Sequence, residues 1–425
     1  IILFSSFFSF SQEYWLKAEW EVDKFSNFVE LENGDIIALG LSQAYYYSGG
    51  LTGQMFLYKV DKYGKTIWKK RYYTNFGVPL YASHMEKGSD GTILVCAVTI
   101  ELDFFSVLKF STEGEIIWSK GYAIEPSRKN ELVEECTVKE TADGGYMFFI
   151  LTDFALYIIR ISSEGEVLWA KNLAHIDYGF CFDKAGGENF ILELQDNIPL
   201  YVKIDSSNGN IIWAKNFFIN GEMAYLYLQK VEENGNMVFE SVAEYEGKWL
   251  SGYIKFSPSF VPIIQRYYEF EPVNWWLWLN CSTIKKYDEE GNLLWRRCIE
   301  PLSVWDEKES PEGHLIAVGA FSSYWWPPEV AGLILRADTN MRIGGACSTY
   351  EFYSNEVSGN VSYKDFEISF EELDKSRIRI STSYGIYVRH PSDDSEYLCY
   401  TGCVRVAVCT DDFPPQCTVE KECDE

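Results

Sequence analysis

The residues that could do chemistry are scattered along the chain. There are four histidines, His84, His175, His314 and His390, and none falls in HExxH or another metal-ligand spacing. Carboxylates cluster at Asp288-Glu289-Glu290, Asp393-Asp394 and Asp411-Asp412. Such groups serve as calcium ligands or as a glycosidase acid pair only when a fold fixes their separation, and the EF-hand spacing is absent. No GxSxG, P-loop or GxGxxG stands where a helix could follow. The residues therefore nominate no catalytic group, no metal site and no cofactor. Calcium is left open by the carboxylates but supported by no ligand spacing.

Cysteine is the other reactive type. Six of the eleven crowd the last part of the chain: Cys347, Cys399, Cys403, Cys409, Cys417 and Cys423. They lack the paired CxxC with nearby histidines of a zinc site, so disulfides in an oxidising compartment are expected. Two further pairings are expected upstream, Cys281 with Cys298 and Cys136 with Cys181, which leaves Cys96 for another role.

The elements that would position these groups come from an internal repeat. One phrase recurs: Lys-x-Asp or Ser, a Gly turn, two aliphatics, Trp, Lys. It reads KVDKYGKTIWKK (59–70), KFSTEGEIIWSK (109–120), RISSEGEVLWAK (160–171), KIDSSNGNIIWAK (203–215) and KYDEEGNLLWRR (286–297). In a degenerate copy, KFSPSFVPIIQR (255–266), Gln265 stands where Trp is expected, and Trp295 follows it after a short unit. A second phrase, an acidic or Asn residue, Gly and an apolar run, precedes each copy, as in ENGDIIALG (32–40) and ADGGYMFFI (142–150). Asn-Gly and Asp-Gly between apolar runs are hairpin signals. Units of about 50 residues with four short strands fit propeller blades. An orphan copy, EYWLKAEW (13–20), precedes the first unit, while the last unit lacks its Trp strand. The strand of Trp15 is thus expected to complete the last blade.

The fold expected is all-β: a seven-bladed β-propeller of four-stranded blades, the sixth short, closed by the N-terminal strand, over residues 12–345. Residues 346–425 are expected as a small Cys-rich β module. Residues 1–11 read as a signal-peptide remnant or an apolar strand that pairs with a neighbouring subunit. The apolar run IILFSSFFSF is too short to span a bilayer, and no transmembrane span is expected. The recurring Trp15, Trp68, Trp118, Trp169, Trp213 and Trp295 read as packing between blades.

The Asp-x-x-Gly-x-x-x-Trp spacing resembles the quinoprotein-like propeller superfamily, and KIDSSNGNIIW is similar to that family's tryptophan-docking motif. The repeats are also similar to those of large secreted proteins of bacteria and archaea. The resemblance covers residues 13–345. Quinone-dependent members imply adjacent cysteines and a calcium site on the ring axis. This chain has no adjacent cysteines, so the resemblance implies the cofactor-free members, which serve as scaffolds or binding platforms.

Binding is expected on one rim. Tyr45, Tyr46 and Tyr47 lie in the loop after the second strand of blade 1, and Tyr324, Trp325 and Trp326 in the same loop of blade 7. Ring closure would make those loops neighbours, and aromatic patches suit sugars or protein partners. Lys and Arg total 37 against 63 Asp and Glu, a formal charge of −26, which repels phosphate backbones and excludes nucleic acid as a partner. The function expected is a non-catalytic secreted or cell-surface scaffold for glycan or protein, self-assembling through its N-terminal strand as an oligomer or filament. The alternative is a secreted polysaccharide lyase or hydrolase with carboxylates in the propeller channel.

Overall fold

The computed structural model describes residues 14–19, 22–44, 52–74, 80–99, 104–124, 133–152, 155–174, 178–184, 189–195, 199–232, 234–246, 248–270, 283–299, 303–322, 330–340, 349–351, 355–359, 361–365, 371–372, 378–381, 386–389, 395–400, 403–409 and 417–423. No helix occurs among them, and none is therefore long and apolar enough to cross a membrane. The strands fall in chain order into antiparallel units. Unit 1 runs Lys24–Glu30, Ile36–Ala44, Thr52–Val60, Thr66–Thr74, each strand paired to the next. Units 2 to 5 repeat this pattern over Tyr81–Ile124, Val133–Ala174, Tyr178–Ile219 and Glu222–Phe270. Among the described residues unit 6 has Thr283–Tyr287 and Leu293–Ile299. Unit 7 is Ser303–Glu309, Leu315–Ser322 and Val330–Ala337, and Trp15–Glu19 pairs on its outside, as the orphan phrase implies.

Strand alternation builds the core between units rather than within them. Tyr146–Thr152 is buried along its whole length. Its residues Tyr146, Phe148 and Ile150 pack into the cluster shared with unit 2, while Met147, Phe149 and Leu151 pack into the cluster shared with unit 4. Period-two geometry sends successive side chains to opposite faces, so both faces of each sheet need partners. Apolar clusters bridge units 7 and 1, 1 and 2, 2 and 3, 3 and 4, 4 and 5, and 6 and 7. Among the described residues none bridges 5 and 6.

The repeated Trp docks on the next unit's turn. A β-bulge leaves the preceding aliphatic exposed, as at Ile67, Ile117, Leu168, Ile212 and Leu294, and turns the Trp side chain inward. Gly114 has φ +72°, and a Cβ there would meet the Trp68 ring at 2.9 Å. Only glycine combines that φ with that approach. Two residues beyond Trp68, Lys70 donates to the Glu113 carbonyl (2.6 Å), and Tyr72 donates to that of Gly114 (2.7 Å). Unit 7 docks on the equivalent turn of unit 1 with its own bonds: Trp15 donates its indole N–H to the Lys62 carbonyl (3.2 Å), and Lys17 donates to that of Gly64 (3.0 Å). Beside them Glu19 and Lys69 form a buried ion pair at 2.9 Å.

Three expectations are corrected. In the degenerate copy the register sets Lys255 opposite Ile264, as it sets Lys59 opposite Trp68, so Ile264 and not Gln265 occupies the Trp place. The expected pairing of Cys136 with Cys181 gives way to a disulfide between Cys96 and Cys136, Cα to Cα 5.9 Å, which joins units 2 and 3. The tail is not a self-contained module from 349 to 400. Thr349–Glu351 pairs with the outermost strand of unit 6, Asn355–Val357 with that of unit 5, and Val361–Asp365 with that of unit 4. Glu371–Glu372, Ile378–Ser381 and Ile386–Arg389 follow on units 3, 2 and 1, and Ser395–Tyr400 lies on Trp15–Glu19 in unit 7. Segments this short cannot build a core of their own, whereas each unit offers an edge of unpaired N–H and C=O groups. Among the described tail residues only Cys403–Cys409 and Cys417–Cys423 pair with each other, placing Cys403 opposite Cys423 and Cys409 opposite Cys417.

Candidate functional site

The interface that lacks an apolar cluster among the described residues holds a cavity of about 630 Å³. It lies between the second and third strands of unit 5, the two described strands of unit 6 and the innermost strand of unit 7. Glu240 reaches it from Met237–Tyr245, Tyr253 from Lys248–Phe256, Lys285 and Tyr287 from Thr283–Tyr287, and Glu307 from Ser303–Glu309. Ionisable side chains thus arrive from three units.

Their contacts form one network. The Lys285 ammonium pairs with the Glu240 carboxylate and donates to the Ser251 hydroxyl (3.2 Å). Ser251 donates to Glu240 (3.3 Å) and stands 3.3 Å from the Tyr287 hydroxyl. The Tyr253 and Tyr287 rings face each other with centroids 5.4 Å apart. Glu307 is open to the water of the cavity but surrounded by protein walls. Removal from bulk water, then the Glu240 and Asp306 carboxylates, push its pKa up to about 7, against the pull of Lys285. Burial pushes the Tyr287 phenol up as well, helped by Glu240, and raises Tyr253 to about 12. At neutral pH the cavity therefore offers a partly protonated Glu307 carboxyl and two phenols that stay protonated, beside the Glu240–Lys285 ion pair.

A second cavity of about 320 Å³ shares Lys308 and Glu309 with the first and continues to Phe28, Glu30, His84, Glu86 and Lys139 on the innermost strands of units 1 to 3. His84 is held neutral, its pKa lowered well below the usual value by burial and by Lys139 and Lys308. Lys139 pairs with Glu86 at 3.4 Å.

Tyr45, Tyr46, Tyr47, Tyr324, Trp325 and Trp326, expected as ligand contacts, lie outside the described residues, as do His175, His390, Cys347, Asp393-Asp394 and Asp411-Asp412. The strands that carry the two aromatic loops are equivalent second strands, Ile36–Ala44 and Leu315–Ser322. The acidic run at Asp288 forms a turn in which Asn292 donates to the Asp288 carboxylate, and Asp288 and Glu289 border the large cavity. His314 pairs with Glu312 (3.3 Å) and packs edge-on to Tyr14. The six repeat tryptophans stand at unit interfaces. Trp213 meets Phe260 at 4.2 Å, and Trp295 donates to the Thr339 carbonyl (3.3 Å). No cluster of three potential metal ligands occurs among the described residues. The sequence reading missed Glu240 and Glu307. Their signal was a carboxylate inside the apolar run ENGNMVFESV and an acidic run, WDEKE, on an innermost strand.

No protein-family model matches the chain, and no curated protein matches it. Solved structures do. A Bacteroides caccae protein of unknown function is 11% identical with TM-score 0.36, over 59% of this chain and 93% of its own. The polysaccharide lyase Uly1 is 9% identical with TM-score 0.44, over 74% and 90%. The Pseudomonas aeruginosa periplasmic gluconolactonase PpgL is 11% identical with TM-score 0.34, over 81% and 99%. What the geometry itself shows is an all-β, antiparallel, propeller-like protein.

Proposed function

We propose that the units are seven blades of one closed propeller, and that it is an exported glycan-binding protein whose site is the cavity between blades 5, 6 and 7. Closure is supported by the repeated docking of Trp15 and Lys17 on the turn of unit 1. Export is supported by the Cys96–Cys136 disulfide and by cross-strand registers that allow two more in the tail hairpin. The observation that carries the binding reading is the Glu240–Lys285–Ser251–Tyr287 network beside Glu307. Alternating donors and acceptors on a wall that also carries phenol rings match a polyhydroxyl chain, whose hydroxyls both give and take protons.

Calorimetric titration with neutral and uronate oligosaccharides tests this. Binding that weakens at least ~10-fold in Tyr253→Ala and Lys285→Met supports it, as expected for lost hydrogen bonds to a charged group. No binding, or binding that neither variant alters, overturns it.

A second reading, a polysaccharide lyase or hydrolase, is favoured by one observation. Glu307, raised to about 7, and Glu240, in an ion pair with Lys285, share one cavity, an arrangement suited to a general acid beside a second carboxyl group. Under it, Glu307→Gln keeps ligand affinity and stops product release. Retained turnover in Glu307→Gln removes this reading.

A further inference from the structure

We propose that residues 349–400 are a strap that docks last in folding and ties the sheets into a ring from outside. Direction makes this feasible. Adjacent strands rotate by roughly 20–25°, so the fourth strand of a unit lies roughly 60–75° from the innermost. The outermost strands therefore run around the circumference rather than along the axis. Every tail strand is antiparallel to the outer strand it covers. A chain travelling once round in that sense meets the units in descending order, and the observed order is 6, 5, 4, 3, 2, 1, then 7. It never has to double back.

Linker length fixes whose tail it is. Successive tail strands are separated by three to five residues, which reach no more than roughly 3.5 Å each. A segment that short can step only to the neighbouring unit of the same ring. The strap therefore belongs to the molecule it encloses, and a second copy cannot share it strand by strand.

Timing follows from the partners. The strands that the tail covers span Trp15 to Ile299. Their edges line up around one circumference only after the ring has assembled. Individual pairings are as short as Glu371–Glu372 on Lys171 and Asn172, too short to persist alone. They hold because each docked strand raises the effective concentration of the next. The last one closes on Trp15–Glu19, which Val330–Ala337 already holds on its other side. The first described strand and the last strand of the strap thus meet in unit 7.

The test is made on the full chain after it has folded. A protease site replaces residues 366–370, between the strands on units 4 and 3, and is cut in the native protein. Hydrogen exchange is followed before and after. The expected result is slow exchange at 371–400 and in the outer strands beneath it before the cut. After the cut, protection should drop by ~10²-fold in the outer strands of units 3, 2 and 1 and in Trp15–Glu19, while units 4 to 6 keep theirs. Unchanged protection after cutting overturns the proposal, as does random-coil exchange of 349–400 in the uncut chain. A dimer that becomes monomeric on cutting also overturns it, because the tail would then be pairing between copies.

Discussion

The interface between units 1 and 2 and the interface between units 5 and 6 are built from the same repeat and end differently. At the first, Trp68 closes on Gly114, Lys70 and Tyr72 bind the turn, and an apolar cluster fills the space from Val29 to Phe110. At the second, Ile264 takes the Trp place and Arg266 the Lys place, and only Tyr268 keeps its bond, to the Gly291 carbonyl at 2.9 Å. The cavity and the ionisable network occupy what is apolar core elsewhere. One interface uses its contacts to join neighbouring units, the other presents polar groups to water. A repeat fold can afford one irregular joint because its neighbours carry the load.

The comparison can be broken most severely at the regular side. Lys69→Met leaves Glu19 buried against a lost partner and is expected to cost on the order of 3 kcal/mol or more, read from urea midpoints. Trp68→Ala is expected to cost ~3 kcal/mol, whereas Ile264→Ala, which removes a smaller side chain that is equally half-buried, should cost less than half of that. Equal losses would dissolve the contrast. Replacing both Cys96 and Cys136 with alanine removes the covalent link between units 2 and 3 and should cost ~2–3 kcal/mol, with a matching fall when the native protein is reduced.

The smaller effects come from the degenerate turn of unit 5 and from the cavity. Phe260 holds φ +63° at the place other copies give to glycine, and it meets the Trp213 ring. Phe260→Gly relieves backbone strain but empties a buried site among Trp213, Phe217, Phe239 and Phe256, so a net loss of ~2 kcal/mol is expected, much like the ~2 kcal/mol for Gly114→Ala, where φ and space both object. Glu307 gives a sign in pH. Its native pKa, about 7, lies above the unfolded value of a glutamate, so the native state holds the proton longer. Stability is then fully present below the unfolded value and falls as pH rises towards 7. Glu307→Gln should be neutral at pH 4 and stabilising at pH 8, by no more than ~1 kcal/mol because cavity water screens the charge. A destabilising effect at pH 8 would mean that Glu307 is held as an anion by contacts stronger than Lys285.

Much of this was legible because hairpin turns leave local marks. ENG, SDG and ADG predicted the turns that the structure places at Gly34, Gly91 and Gly144, each with positive φ, and the orphan Trp15 phrase predicted its own partner strand. Where Pro258-Ser259-Phe260 replaced the usual glycine turn, counting from the turn slipped by one and Gln265 was taken for the docking residue. The strap was illegible for a different reason. Its strands are bound through main-chain groups at sheet edges, which asks little of side-chain pattern, so Glu371–Glu372 can be as good a strand as Ile378–Ser381. The cavity was illegible because Glu240, Lys285 and Glu307 converge from three units, and neither spacing nor phrase links them.

The descending order of the tail has a mechanical consequence. A hoop whose segments are glued end to end yields first at the end that is pulled, so a pull on the chain beyond residue 400 loads one short pairing at a time. Rupture would begin on unit 7 and travel through units 1, 2, 3, 4, 5 and 6, a zipper opening in low-force steps. The staves inside, joined face to face by their apolar clusters, would feel that load only after the hoop had gone.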